Sequence, residues 1–188
     1  MKDNKYDKIL SIATDLINRE GFRKTSFQKI ADKVGLHRTS LFHYLKNKEE
    51  LLLRVLERSV DEIGANLEEI SSNNELEPEE KLKKAIDNHL ALHTKSISNT
   101  ILYLNELDGF SKKNQRIFLG ERKKYEKNFE KIITEMKRKG YFKRLDTKIV
   151  TFSLLGVLNW VPKWYRSDGR LPIEKISNIF YKIILGKG

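Results

Sequence analysis

Nowhere in the 188 residues do Val, Ile and Thr alternate with polar side chains over the length of a strand. Apolar positions instead return every three to four residues along almost the whole chain, which is the period of an amphipathic helix. The pattern predicts an all-α chain of about nine helices. Hydrophobic residues make up 39% and charged residues 34%, with only 10 Gly and 3 Pro. That excludes collagen-like and low-complexity chains and supplies apolar surface for a core. There is no Cys, so no disulfide, thiolate metal site or Cys nucleophile is available. The first residues are charged and lack a signal-peptide apolar stretch. The longest apolar runs, such as Leu154 to Leu158, fall far short of the ~20 residues that a membrane span needs. The expectation is a soluble cytoplasmic chain with no membrane partner.

The formal net charge is +11. It is unevenly spread: residues 1–60 hold 13 basic and 8 acidic groups, 61–140 hold 15 of each, and 141–188 hold 9 and 3. An excess of this size suits a polyanionic partner, of which nucleic acid is the usual one, although it also serves solubility.

Helix ends are marked by local signals. A first helix spans about Lys5 to Arg19 and stops at Gly21. Thr25 and Gln28 form a capping-box pattern ahead of a short helix with Phe27, Ile30, Ala31 and Val34 on one face. Gly35 closes it, and a second short helix runs about Arg38 to Leu45 with Leu41 and Leu45 inward. Asn47 and Glu50 make another capping box and open a long helix to about Ile70. Further helices are predicted over about 78–95, 100–107, 112–138, 147–165 (capped by Asp146) and 172–185.

Two short helices joined through Gly35 make a helix-turn-helix pattern, in which the first braces the second for entry into a major groove. With Leu41 and Leu45 buried, the second helix turns Arg38, Thr39, Phe42 and His43 outward. Arg38 can pair with guanine, Thr39 can touch a thymine methyl, and His43 can donate to a base edge. Thr25, Ser26, Ser40, Tyr44 and Lys48 lie where phosphate contacts are reasonable, two helix starts adding free backbone N–H groups. A solvated basic corner would carry the same periodicity.

The stretch from Thr25 to Leu36, followed by Ser40 to Leu52 (Ser-Leu-Phe-His-Tyr-Leu-Lys-Asn-Lys-Glu-Glu-Leu-Leu), resembles the DNA-binding domain of the TetR family of bacterial regulators over about residues 5–55. The resemblance implies an all-α homodimer of about nine helices. An N-terminal three-helix helix-turn-helix domain (residues 1–46) would be followed by a helical effector-binding and dimerisation domain (47–188). It also implies a palindromic operator, usually bound by a repressor that a small molecule releases. Three positions depart from the family's habit. His37 stands where Ser often caps the recognition helix, Thr39 where Gly is frequent, and Phe42 where Tyr commonly contacts a phosphate.

The later helices suit both further roles. The segment 147–165 is apolar nearly all round and must be covered on every side. With the last helix it offers Leu154, Leu158, Val161, Ile176, Phe180 and Ile183 as candidates for a four-helix dimer interface. Polar residues set in apolar stripes mark a candidate effector pocket: Ile86, His89, His93, Leu102, Phe118, Arg122, Tyr125, Asn159 and Trp160. Arg122 could meet an anionic group or simply pair at the surface. The run from Asn159 to Leu171, with Pro162 inside a helix, resembles a segment of TetR-family repressors of fatty-acid and acyl-CoA degradation. That similarity implies an acyl-CoA or long-chain lipid effector, unless the run only shapes the turn.

Two rivals remain. His89 and His93 stand four apart and could chelate a metal in an enzyme, but no third ligand stands out. A partner-binding module of the same fold would have no small-molecule effector. The expectation is a regulator without enzymatic activity, metal or cofactor.

Overall fold

The computed structural model describes residues 2–22, 24–91 and 111–186. These form eight helices and, among the described residues, no strand: α1 (Lys2–Glu20), α2 (Phe27–Val34), α3 (Arg38–Leu41), α4 (Lys48–Ser72), α5 (described over 78–91), α6 (Lys112–Arg138), α7 (Thr147–Trp164) and α8 (Ile173–Ile184). The helix expected over 100–107 lies outside the described residues, as do His93 and Leu102. The chain divides into two compact units, one of residues 1–61 with 96–116 and one of 62–95 with 117–188. The division therefore falls inside α4 and inside α6.

In the first unit α2 packs on both α1 and α3. Buried residues come from α1 (Ile9, Leu10, Ala13, Leu16, Ile17), from α2 (Phe27, Ile30, Ala31, Val34) and from the head of α4 (Leu51, Leu52, Leu53, Val55). The N-cap of α2 is Ser26, whose side chain accepts from Lys29 N at 3.2 Å. The expected box on Thr25 and Gln28 is thus displaced by one residue. Thr25 turns inward, and Gln28 instead donates to Asp32 Oδ1 at 2.7 Å. Gly35 ends α2 with φ +77°, where a Cβ would be strained, and Leu36 N returns to Ala31 O at 2.9 Å. This sharp stop aims the chain into α3.

The segment expected to be helical from Arg38 to Leu45 is α-helical only to Leu41. Beyond it the N–H groups of Phe42, His43 and Tyr44 reach back three residues rather than four, a tighter 3₁₀-like winding. Leu41 and Leu45 are nonetheless buried, so the short segment is held by its apolar side. His37 precedes it without a side-chain cap bond. The head of α4 is closed by Asn47 Oδ1, which accepts from Glu50 N at 2.8 Å, while Glu50 Oε2 accepts from Lys46 N at 2.7 Å.

The second unit is built on one apolar cluster. Leu67 of α4 meets Leu82, Ala85, Ile86 and Leu90 of α5, Phe129, Ile132, Ile133 and Met136 of α6, Leu154, Leu155, Leu158 and Val161 of α7, and Ile173 and Ile176 of α8. Burying a side chain of this size contributes about 1.5–3 kcal/mol each. Polar ties cross the cluster. Lys81 is 3% exposed and donates to Glu135 Oε2 at 2.7 Å. Ser177 of α8 donates to Asp87 Oδ1 of α5 at 2.5 Å. Gly140, at φ +104°, ends α6, and Asp146 caps α7 by accepting from Ile149 N at 2.9 Å. Pro162 sits in the last turn of α7, which ends two residues later.

Candidate nucleic-acid interface and effector site

The recognition segment is presented by contrast. Leu41 is fully buried and Leu45 nearly so, while Arg38, Thr39 and His43 are exposed. Arg38 and Thr39 also border a groove of about 580 Å³ shared with Gln28, Asp32, Gly35, Leu36 and His37. Gln28 and Asp32 had not been expected near this surface. They sit one turn apart on α2, on the face opposite Ile30 and Val34, and reach it only because the Gly35 turn folds α3 back beside them. Phe42 is 49% exposed and its ring lies 5.2 Å from that of Phe27, so it braces the pair of helices from outside.

The phosphate candidates divide. Ser40, Tyr44 and Lys48 are half-buried and Ser26 is exposed. The Lys48 ammonium lies 4.4 Å from the centre of the Phe22 ring, which steers its stem along an apolar surface. Thr25 does not belong with them. It is 1% exposed, and its hydroxyl donates to Gly21 O at 3.0 Å, closing the end of α1. Two adjacent hydroxyls competed for the capping position, and the inner one is used for folding.

The effector candidates also separate. His89 of α5 is 5% exposed, and its Nδ1 lies 2.9 Å from Tyr125 Oη of α6. Phe129 completes an aromatic trio, its ring centre 5.4 Å from Tyr125 and 6.3 Å from His89. Burial pushes the Tyr125 hydroxyl well above its ordinary range, so it stays protonated and donates to Nδ1 whenever the imidazole carries its proton on Nε2. Ile86 is in the core, and Asn159 is half-buried on α7. Phe118 lies within α6. Arg122 is exposed and pairs with Glu126 one turn away at 2.8 Å, and Trp160 is 62% exposed, so neither lines the interior of this unit. Among the described residues no three His, Asp or Glu side chains come together as metal ligands. No helix among them is long and apolar enough to cross a membrane.

The interface candidates separate by burial. Leu154, Leu158, Val161 and Ile176 are at most 5% exposed and face their own core. Phe180 is half-buried against that core. The open apolar face of α7 is Ile149, Phe152, Val157, Trp160 and Trp164, and α8 leaves Ile179 and the candidate Ile183 open, the latter 68% exposed. An apolar helix has two candidate stripes, and the core took the one that carries Leu154, Leu155, Leu158 and Val161.

Several known proteins are similar to this chain over most of its length. HTH-type transcriptional repressor KstR2 of Mycobacterium tuberculosis is 25% identical over 193 residues, covering 98% of this chain and 92% of the repressor. The fatty acid metabolism regulator protein of Bacillus subtilis is 24% identical, covering 98% and 95%. A crystal structure of AibR in complex with isovaleryl coenzyme A and operator DNA superposes with a TM-score of 0.85 at 27% identity, covering 96% of this chain and 98% of that one. Residues 9–55 match the family described as bacterial regulatory proteins, tetR family, and residues 75–187 match the tetracyclin repressor-like C-terminal domain. With that match spanning more than half of its length, the chain belongs to the TetR family of bacterial regulators.

Proposed function

We propose that this regulator is a homodimeric repressor that leaves a palindromic operator when it binds an acyl-CoA. Residues 1–46 read DNA, with Arg38, Thr39 and His43 at base edges and Ser26, Ser40, Tyr44 and Lys48 at phosphates. Residues 47–188 bind the effector and the partner. The observation that carries the DNA assignment is the segregation on the recognition segment: Leu41 and Leu45 buried, Arg38, Thr39 and His43 exposed. A short helix anchored on one side by leucines and polar on the other is what a major groove admits.

The dimer reading is supported by the open stripe on α7 and α8. Large apolar side chains left exposed along a helix face mark an interaction surface, and their presence on both helices suits a two-fold partner. The effector class is supported by the likeness to AibR, which was crystallised with isovaleryl coenzyme A and operator DNA, and to the Bacillus subtilis fatty acid metabolism regulator. In this chain the His89–Tyr125 pair would meet the polar part of the acyl group, and the surrounding apolar residues its chain.

The mechanism follows from geometry. Two recognition segments must sit about 34 Å apart to enter successive major grooves. Effector binding tilts α4 and changes that spacing. By linkage, operator DNA must weaken effector binding by the same factor. The test is a labelled duplex from the chain's own upstream region, titrated with isovaleryl-CoA, palmitoyl-CoA and free CoA. The expected result is release by an acyl-CoA and not by CoA alone. Operator binding indifferent to both acyl-CoAs would refute the effector class.

A further inference from the structure

Two consecutive carboxylates at the head of α4 point to different neighbours. Glu50 closes the recognition turn through Lys46 N at 2.7 Å. Glu49 turns towards the first residues of α6, where its Oε1 accepts from Ser111 N at 2.6 Å and from Asn114 Nδ2 at 2.8 Å. All three residues lie in the first unit. Ser111 N belongs to the backbone donors that a helix start leaves without intrahelical partners, and a carboxylate there also faces the positive end of the helix dipole. The N–H of Ser111 first, and the Asn114 amide second, hold the Glu49 carboxyl below its ordinary range. α4 and α6 both run on past the point where the chain divides.

From this geometry we infer that Glu49 is a positioning residue for regulation. It ties the first turn of α6 to the first turn of α4, so that a displacement of α6 is passed to the recognition segment immediately upstream. One oxygen accepting from two donors fixes both distance and direction. A shift of about 1 Å takes a 2.6 Å bond beyond hydrogen-bonding range. Because Glu50 seals the recognition turn from the next position, little slack separates the tie from residues 38–45. The inference rests on the reading of the chain as an operator-binding regulator and deepens it.

The test uses full-length E49A, E49Q and N114A, with helicity checked by circular dichroism. N114A removes one donor and leaves the carboxylate in place, so it serves where E49A fails to fold. Operator affinity is measured by fluorescence anisotropy with and without isovaleryl-CoA and palmitoyl-CoA. Without acyl-CoA, E49Q and N114A should bind operator within about threefold of wild type, as the loss of one exposed hydrogen bond allows. The acyl-CoA-induced weakening should shrink by about fivefold or more, within the usual span of allosteric coupling. Full weakening in E49A and N114A overturns the inference, as does loss of operator binding by folded E49A alongside unchanged coupling in N114A. If neither acyl-CoA affects the wild type, the effector class is wrong and the tie is read by hydrogen exchange instead. Operator binding should then slow exchange over residues 112–116 in wild type and not in N114A or E49A. Equal slowing in all three, or none in wild type, overturns it.

Discussion

Removing Glu135 should cost far more than removing its partner Lys81, although the two make one ion pair. The Lys81 side chain is 4% exposed and that of Glu135 is 20%. In E135A the Lys81 ammonium stays in the core with only the Ser71 carbonyl, 3.4 Å away, among its described acceptors. An orphaned buried charge of this kind costs about 3–5 kcal/mol. In K81M the thioether follows the path of the old aliphatic stem, and Glu135 swings to the solvent it already touches. That change should cost about 1 kcal/mol, the size of one lost hydrogen bond. K81M/E135L removes both charges and should return to within about 1 kcal/mol of wild type, because a buried pair roughly offsets its own desolvation. The assay is urea unfolding followed by tryptophan fluorescence. Both tryptophans, Trp160 and Trp164, lie on α7 in the second unit and so report the unit that holds the pair. Equal losses in the two single variants, or a double variant as unstable as E135A, would refute the reasoning.

Two further outcomes follow from surface chemistry. Trp160→Glu and Ile183→Glu replace side chains 62% and 68% exposed within one chain, so each should leave helicity unchanged while sedimentation shows a monomer; a stable dimer in both would place the partner elsewhere. Glu49 has a depressed pKa in the folded chain, so its contribution is present above the ordinary Glu value of 4.5 and is lost as pH falls through the lower folded value. Hydrogen exchange of the Ser111 amide, corrected for intrinsic rate, should rise below that pH in wild type and be pH-independent in E49Q.

Much of the helical layout was legible because helix ends are set by neighbours in sequence. Asn47 with Glu50, Asp146, Gly35 and Gly140 each stop or start a helix through contacts within a few residues, and α6 has the bounds that its pattern predicts, Lys112–Arg138. The errors have physical causes. Thr25 and Ser26 are both competent caps, and only tertiary packing decides which hydroxyl turns inward. After Leu41 the N–H groups of Phe42, His43 and Tyr44 bond three residues back, and this tighter winding still buries Leu41 and Leu45, so their spacing of four did not distinguish it from an α-helix. α7 is apolar on every side, so periodicity could not say which stripe meets the core. Arg122 interrupts an apolar stripe, yet the Glu four residues later already offered it a surface partner. Glu49 was invisible for another reason: its partners are 62 and 65 residues away, and no local pattern encodes such a contact.

The central claim is that the exposed side of the recognition segment reads an operator. The most direct measurement compares wild type with Arg38→Ala on the upstream duplex and on a scrambled duplex, across a range of salt concentrations. A side chain paired to a base edge is worth about 1–3 kcal/mol, so the variant should lose about tenfold or more on the operator while its binding to scrambled DNA barely changes. Equal operator affinity in wild type and variant, or equal loss on both duplexes, would contradict the account.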